Sequence, residues 1–171
     1  VIRAAYAFRE LGLGDAVLIG REEQVRANMS QLGIPKNARL RIVNARLSEH
    51  NAAYTEFLYK RLQRFGFLYR DAQRLVNLDR NVFGACMVAL GQADGMVTGV
   101  TRNYATALDD VLKVIDPARG ERVMGMSIVL MKGRTLFVSD TAVAEFPDPP
   151  ELAQIVLQSA AMPRQFGAVP R

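Results

Sequence analysis

The chain has 171 residues, half of them hydrophobic, with 22 basic and 17 acidic side chains and a formal net charge of +5. This composition allows a buried core, and the mild basic excess favours anionic ligands without indicating nucleic acid, since no basic run alternates with aromatic residues. The longest apolar runs, such as residues 128–131, are too short to span a bilayer, so we expect no membrane partner.

The first part of the chain predicts alternating helices and strands. A helical pattern starts at Val1 and extends to about residue 11, before two glycines. The predicted elements that follow are a strand at 16–19, a helix at 21–32 and a strand at 40–43. Such alternation is typical of an α/β fold with a mostly parallel sheet covered by helices.

Helices dominate the next segment. The predicted helices cover residues 51–64, 70–76 and 80–90. After Gly91, residues 95–98 predict a short buried strand. A further helix follows the next loop, and its predicted inward stripe consists of Tyr104, Leu108, Val111, Leu112 and Ile115.

One basic cluster lies in this helical segment, and two interpretations of it stay open. Its members are Lys60, Arg61, Arg64, Arg70 and Arg74. These side chains either attract the phosphates of a ligand or form an ordinary solvated helix face, and the solvated face is favoured.

The loop at residues 99–103 carries the strongest local signal for a ligand site. It follows a predicted strand and precedes a predicted helix, which is where α/β proteins bind anions. Gly99, Thr101, Arg102 and Asn103 offer a small residue, a hydroxyl, a guanidinium and an amide, which suggest a phosphate-bearing ligand. The alternative is an ordinary connection in which Asn103 caps the helix and Arg102 lies in solvent.

A break at Pro117 and Gly120 divides the chain into predicted units of residues 1–120 and 121–171. Beyond it we predict a strand over 123–131, a tight turn at 132–133, a second strand over 135–138, and a last helix that opens with Asp148 and two prolines. Its predicted inward residues are Leu152, Ile155, Val156 and Ala160.

Three polar residues, Ser139, Asp140 and Thr141, follow the end of the second hairpin strand. They are further candidates for a ligand contact. The alternative is a turn in which Asp140 accepts hydrogen bonds from nearby backbone amides.

A single cysteine, Cys86, and a single histidine, His50, exclude several chemistries. One cysteine cannot form a disulfide framework, which favours a reducing cytoplasm, and its apolar helical segment favours a core position. His50 has no cysteine at ligand spacing, so we expect neither a metal site nor a catalytic triad in this segment. Both ends of the sequence interrupt predicted elements, so we expect a segment of a longer polypeptide.

Several short segments resemble the phosphate acetyltransferase family, in the same order and over essentially the whole chain. They are residues 81–84, 91–99, 139–143 and 149–153, together with the helix that ends at Val114 and Ile115. Residues 44–48, 67–71 and 101–104 resemble the branch of this family that is fused to the C-terminus of bacterial NADP-dependent malic enzymes.

The resemblance implies a three-layer αβα fold with two subdomains and a cleft between them, where the true enzymes bind coenzyme A and acetyl phosphate. It also implies that the first strand and most of the second subdomain are missing here. The family pattern Ser-Thr-Ala-Asp-Thr-Leu-Arg-Pro matches residues 103–110, where Asp109 replaces the family's substrate-binding arginine. This charge inversion argues against catalysis, so we assign no catalytic residue.

The first hypothesis is therefore a regulatory domain that senses acetyl-CoA or coenzyme A and assembles a homo-oligomer. The parent chain would convert malate to pyruvate by oxidative decarboxylation, with NADP and a divalent metal held by its other domains. The second hypothesis is an active phosphate acetyltransferase, and the third is an oligomerisation module with a vestigial cleft.

Overall fold

A computed structural model describes residues 1–140 and 142–169 of the chain. The polypeptide forms two compact units, Val1–Ile115 and Asp116–Arg171. The sequence predicts this division after residue 120, whereas the first unit ends at Ile115, just after the helix that follows the loop at residues 99–103.

The first unit begins with a parallel pair of strands connected through a helix. Its first elements are α1 (Ile2–Glu10), β1 (Val17–Ile19), α2 (Glu22–Gln31) and β2 (Arg41–Val43). Leu18 of β1 pairs with Ile42 of β2 in parallel register. Leu18 also packs with the buried side chain of Met29 on α2, which explains why the alternating pattern of this region predicts its strands correctly.

Four helices complete the first unit around a larger core. They are α3 (Asn51–Leu62), α4 (Tyr69–Leu78), α5 (Arg80–Ala89) and α6 (Tyr104–Leu112), and a single 3₁₀ turn, Gln63–Phe65, follows α3. Tyr54, Leu58, Val76 and Phe83 are fully buried at the centre of this core. The three helices predicted between residues 51 and 90 are confirmed, with bounds that differ by one or two residues.

The strand predicted at residues 95–98 is wrong, because the backbone there is irregular and Val97 is 99% exposed. No neighbouring strand among the described residues supplies hydrogen bonds to this segment. The segment is nevertheless attached to α5 through side chains. Met96 packs against the core beside Gly84, and the Thr98 hydroxyl donates to Asn81 Oδ1 at 2.5 Å.

The second unit contains the predicted hairpin and a terminal helix pair. Its elements are β3 (Met126–Met131), β4 (Arg134–Ser139), α7 (Pro149–Ser159) and α8 (Ala161–Gln165). The two strands are antiparallel, and Asp148 caps α7 through a capping box with Glu151. Of the predicted inward stripe of α7, only Ile155 is buried, whereas Leu152 and Val156 are more than half exposed within this unit.

No helix among the described residues combines the length and the hydrophobicity needed to cross a bilayer.

Candidate functional site

The candidate loop at residues 99–103 is exposed throughout and leads directly into α6. Gly99 has a φ of 106°, a conformation that L-amino acids with side chains rarely adopt, so the turn requires glycine. Thr101 lies on the exposed part of this loop. The loop is therefore a surface feature whose path depends on a few contacts at its ends.

Asn103 fixes the carboxyl end of the loop by capping α6. Its Oδ1 accepts a hydrogen bond of 2.8 Å from the backbone amide of Thr106, and its own backbone is extended. The predicted N-cap is confirmed. The side-chain oxygen of Asn103 is therefore engaged by the backbone of α6, while its side-chain nitrogen takes no part in the cap.

Arg102 is held by two carboxylates. Its Nη1 lies 2.7 Å from Asp79 Oδ2 and 2.8 Å from Asp110 Oδ2. The side chain of Arg102 is 40% exposed, whereas those of Asp79 and Asp110 are 14% and 7% exposed. The guanidinium therefore sits at the surface above two largely buried negative charges, and it is not free in solvent as one interpretation of the sequence proposed.

Asp110 is the centre of a polar network that joins the loop to two helices. It accepts hydrogen bonds from Asn81 Nδ2 at 3.0 Å and from Lys113 Nζ at 3.2 Å, in addition to that from Arg102. We call the group the Asp110 network; its members are Asp79, Asn81, Thr98, Arg102, Asp109, Asp110 and Lys113. A carboxylate with three donors tolerates burial that an unpaired charge would not.

Lys113 balances part of this negative charge. It contacts Asp109 Oδ2 at 2.9 Å as well as Asp110. Burial alone lowers the pKa of Lys113, but hydrogen bonds to both aspartates outweigh that effect, so its pKa lies above the ordinary value. Lys113 therefore carries a positive charge within the network at neutral pH.

Asp79 has a second role at the start of α5. Its Oδ1 accepts hydrogen bonds from the backbone amides of Asn81 at 2.8 Å and Val82 at 3.2 Å, while Oδ2 faces Arg102. One carboxylate therefore caps a helix and orients the loop arginine. The sequence analysis missed this residue, although an aspartate directly before a predicted helix is a recognisable capping signal.

Of the candidate residues after β4, Asp140 makes the turn that the sequence analysis gave as the alternative. Its carboxylate accepts backbone hydrogen bonds of 3.0–3.3 Å from Gly125, Ala142, Val143 and Ala144. Burial raises the pKa of Asp140, but these four donors outweigh it and hold the pKa below its usual value. Both carboxylate oxygens are therefore engaged by the backbone.

The structure says less about the other two candidates of this segment, Ser139 and Thr141. Ser139 is partly buried and ends β4 in register with Met126. Thr141 lies outside the described residues.

Two members of the basic cluster, Lys60 and Arg61, make defined contacts within the protein. Lys60 pairs with Glu56 at 3.1 Å, and Arg61 donates to the backbone oxygen of Lys113 at 2.9 Å, near the carboxyl end of α6. A hollow of about 600 Å³ lies at the end of α3, with Lys60 and Arg64 in its wall. These contacts favour the interpretation of a solvated helix face, with Arg61 stabilising the end of α6.

The described residues contain no group of three histidine, cysteine, aspartate or glutamate side chains arranged to hold a metal ion.

The sequence matches the family described as phosphate acetyl/butaryl transferase over residues 1–171. It is 55% identical to an NADP-dependent malic enzyme from Rhizobium meliloti and 32% identical to one from Escherichia coli, in each case over 100% of this chain and 23% of the relative. A phosphate acetyltransferase from Helicobacter pylori is 27% identical over 100% of this chain and 33% of its own length. The chain thus spans less than a quarter of the malic enzymes it matches.

Solved structures of phosphotransacetylases share the fold. One from Streptococcus pyogenes has a TM-score of 0.89 at 26% identity, over 98% of this chain and 51% of that protein. One from Staphylococcus aureus has a TM-score of 0.87 at 24% identity, over 99% of this chain and 51% of that protein. These likenesses confirm the α/β class that the sequence predicts.

Proposed function

Because the chain belongs to the phosphate acetyl/butaryl transferase family, we propose that it is a regulatory, non-catalytic domain of an NADP-dependent malic enzyme that binds acetyl-CoA. The proposed ligand contacts in the first unit are Gly99, Thr101, Arg102 and Asn103. In the second unit, Ser139, Asp140 and Thr141 stay candidates.

The observation that carries this proposal is the difference in similarity between two kinds of relative. The chain matches NADP-dependent malic enzymes at 55%, 42% and 32% identity along its whole length, against 27% and 30% for two phosphate acetyltransferases. The whole match falls within less than a quarter of the malic enzyme, which supports the proposal that the domain works beside a catalytic domain of the same polypeptide. NADP and the divalent metal of malate oxidation are assigned to those other domains.

The charges at the loop support a binding role without chemistry. Acetyl transfer between coenzyme A and phosphate needs positive groups that stabilise the developing negative charge. Here Asp109 and Asp110 lie on α6 next to the loop, and the cation Arg102 is shared between two carboxylates. Because two carboxylates compensate Arg102, this arrangement disfavours the transfer of an acetyl group to phosphate.

Regulation requires that acetyl-CoA bind two conformations of the parent enzyme with different affinities. We propose that the loop takes part in this change, since its position depends on a small number of side-chain contacts to α5 and α6. A ligand that favours one arrangement of these contacts would shift the position of two helices of the domain. We propose that a homo-oligomer transmits this shift to the catalytic domains.

The test uses the full-length protein. We expect NADP-dependent oxidation of malate, and a change of its kinetics when acetyl-CoA is added, together with calorimetric binding of acetyl-CoA. Absence of binding at millimolar acetyl-CoA would reject the sensing role. Mass measurement with and without the ligand separates a sensing oligomer from an assembly module that binds nothing.

An active phosphate acetyltransferase is the second candidate, and the whole-chain match to the Helicobacter pylori enzyme favours it. In that case the fold would orient the thiol of coenzyme A against acetyl phosphate. Trapping acetyl phosphate with hydroxylamine, after incubation of the protein with acetyl-CoA and phosphate, distinguishes the two. A yield above the protein-free background would establish the transferase.

A further inference from the structure

We propose that Asp79 and Asp110 mask the charge of Arg102, so that the loop discriminates against inorganic phosphate and acyl phosphates. This inference rests on the proposed function and deepens it, because it names a ligand class that the sensing loop rejects. The two carboxylates are then specificity-determining residues of the site. They hold in place a cation that would otherwise be available to a phosphate.

The geometry shows a shared and not a free guanidinium. Both carboxylates reach the same nitrogen, Nη1, at 2.7 and 2.8 Å, and both are largely buried beneath it. In the Asp110 network three carboxylates face two cations, which leaves one net negative charge beside the loop. The exposed part of Arg102 is therefore accessible in space but compensated in charge.

A small phosphate depends on such a charge more than a coenzyme does. A phosphate bound to Arg102 would lie close to Asp79 and Asp110, where partial burial weakens screening by salt, so like-charge repulsion opposes binding. Acetyl-CoA presents an adenine ring, a pantetheine chain and a thioester in addition to its phosphates. Its affinity can rest largely on these neutral groups, so the repulsion that opposes a small phosphate affects a smaller share of its binding free energy.

The experiment releases the arginine and measures the gain of phosphate binding. In the full-length protein, Asp110→Asn removes one negative charge and keeps an oxygen that accepts from Asn81 and Arg102. Titration with inorganic phosphate at constant ionic strength, followed by calorimetry, is expected to show binding about tenfold tighter than in the unsubstituted protein, the effect of one charge-assisted hydrogen bond. Acetyl phosphate is expected to show the same gain.

A second variant guards against a folding defect in the first. Asp79→Asn also removes a carboxylate from Arg102, and asparagine caps helix starts as well as aspartate does. Thermal unfolding of both variants establishes that each is folded at the temperature of titration. We expect the same direction of change in both.

Two matched controls assign the gain to Arg102. Adding Arg102→Gln to Asp110→Asn is expected to abolish it. Asp109→Asn removes the same formal charge from an exposed neighbour that contacts Lys113 and not Arg102, and should change phosphate affinity by no more than about twofold. Because all variants share any other phosphate site of the protein, the comparison between them isolates the loop.

Two results would overturn the proposal: no gain in either asparagine variant over the unsubstituted protein, or a gain that persists after Arg102→Gln. The failure of this inference is distinguishable from failure of the proposed function. Phosphate affinity of the variants tests the mask, whereas the response of malate oxidation to acetyl-CoA in the unsubstituted protein tests the sensing role.

Discussion

Asp110 lies on the buried face of α6, and Arg102, eight residues earlier, donates to its carboxylate at 2.8 Å. The pair closes the loop at residues 99–103 back onto the helix that the loop precedes. The burial of the Asp110 carboxylate is tolerated because Asn81 and Lys113 also donate hydrogen bonds to it. This contact attaches the candidate loop to α6, and it does so on the face of the helix that packs against the core.

The stability of the first unit should depend on Arg102. We expect Arg102→Leu to lower the free energy of unfolding by about 2 kcal/mol, less than for a fully buried pair, because the arginine is partly exposed. The cost arises since two largely buried carboxylates lose their shared cation. Urea unfolding of the full-length protein, followed by a probe in this unit, measures it.

Arg102→Lys is the matched control for this change. It keeps the charge but places a more strongly hydrated ammonium on a flexible stem between the two carboxylates, so we expect a loss of about half that size. Equal stability of the leucine variant and the unsubstituted protein would show that the network contributes no net stability.

Capping by Asn103 should stabilise the start of α6. We expect Asn103→Ala to cost about 1 kcal/mol, because the backbone amide of Thr106 loses its acceptor. Hydrogen exchange at that amide should become faster. Asn103→Ser should restore most of the stability, since serine is also a good N-cap, and an equal loss in both variants would contradict the capping explanation.

Asp140 should organise the turn after β4 and make its stability sensitive to acid. We expect Asp140→Ala to cost about 2 kcal/mol, since four backbone donors lose a charged acceptor. Asp140→Asn should cost less, because one oxygen still accepts. Unfolding of each variant at neutral pH gives the comparison.

The pH dependence at this position follows from the direction of the pKa shift. The folded-state pKa of Asp140 lies below the ordinary value of 3.8. As pH falls below that value, the unfolded chain binds the proton first, so the contribution is present above it and disappears as pH falls through the folded pKa. Asp140→Asn should remove this part of the acid sensitivity, and an unchanged acid profile would contradict it.

Much of the fold could be predicted from hydrophobic periodicity, but the face of α6 could not. The sequence pattern predicts Tyr104 and Leu112 to face inward, whereas Tyr104 is 49% exposed and the helix buries Ala107 and Asp110. A pattern of hydrophobic periodicity counts aspartate as an exposed residue. It takes no account of the Arg102 guanidinium and the Asn81 amide, which make the burial of Asp110 favourable. Those partners come from residues 8 and 29 positions away, which only the fold brings together.

The candidate site shows the same limit. The loop and the Asn103 cap were visible in the sequence because they depend on neighbouring residues. The ion pair that compensates the charge of Arg102 was not visible in the sequence, because Asp79 is 23 residues earlier in the chain and its position there indicates only a helix cap. The strand at 95–98 was predicted from its apolar residues, but a strand also needs a partner for its backbone.

Cys86 should be unreactive in the folded protein, and its reaction should report on unfolding of the first unit. Its side chain is fully buried on α5, and burial raises the pKa of the thiol to about 12. Because the thiolate is the reactive form, a thiol reagent at pH 8 should label Cys86 only when the unit opens. The labelling rate should therefore rise with urea in parallel with unfolding.

The Cys86→Ala variant gives the background labelling that does not come from this thiol. The unfolded thiol ionises near 9.0 while the folded one stays protonated to about 12, so the stability of the unit should also fall as pH rises above 9.0. That decline should be smaller in the alanine variant. Labelling of Cys86 in the absence of urea at the rate of a free exposed thiol would show that α5 does not pack as described, and the network that begins at Asp79 would lose its support.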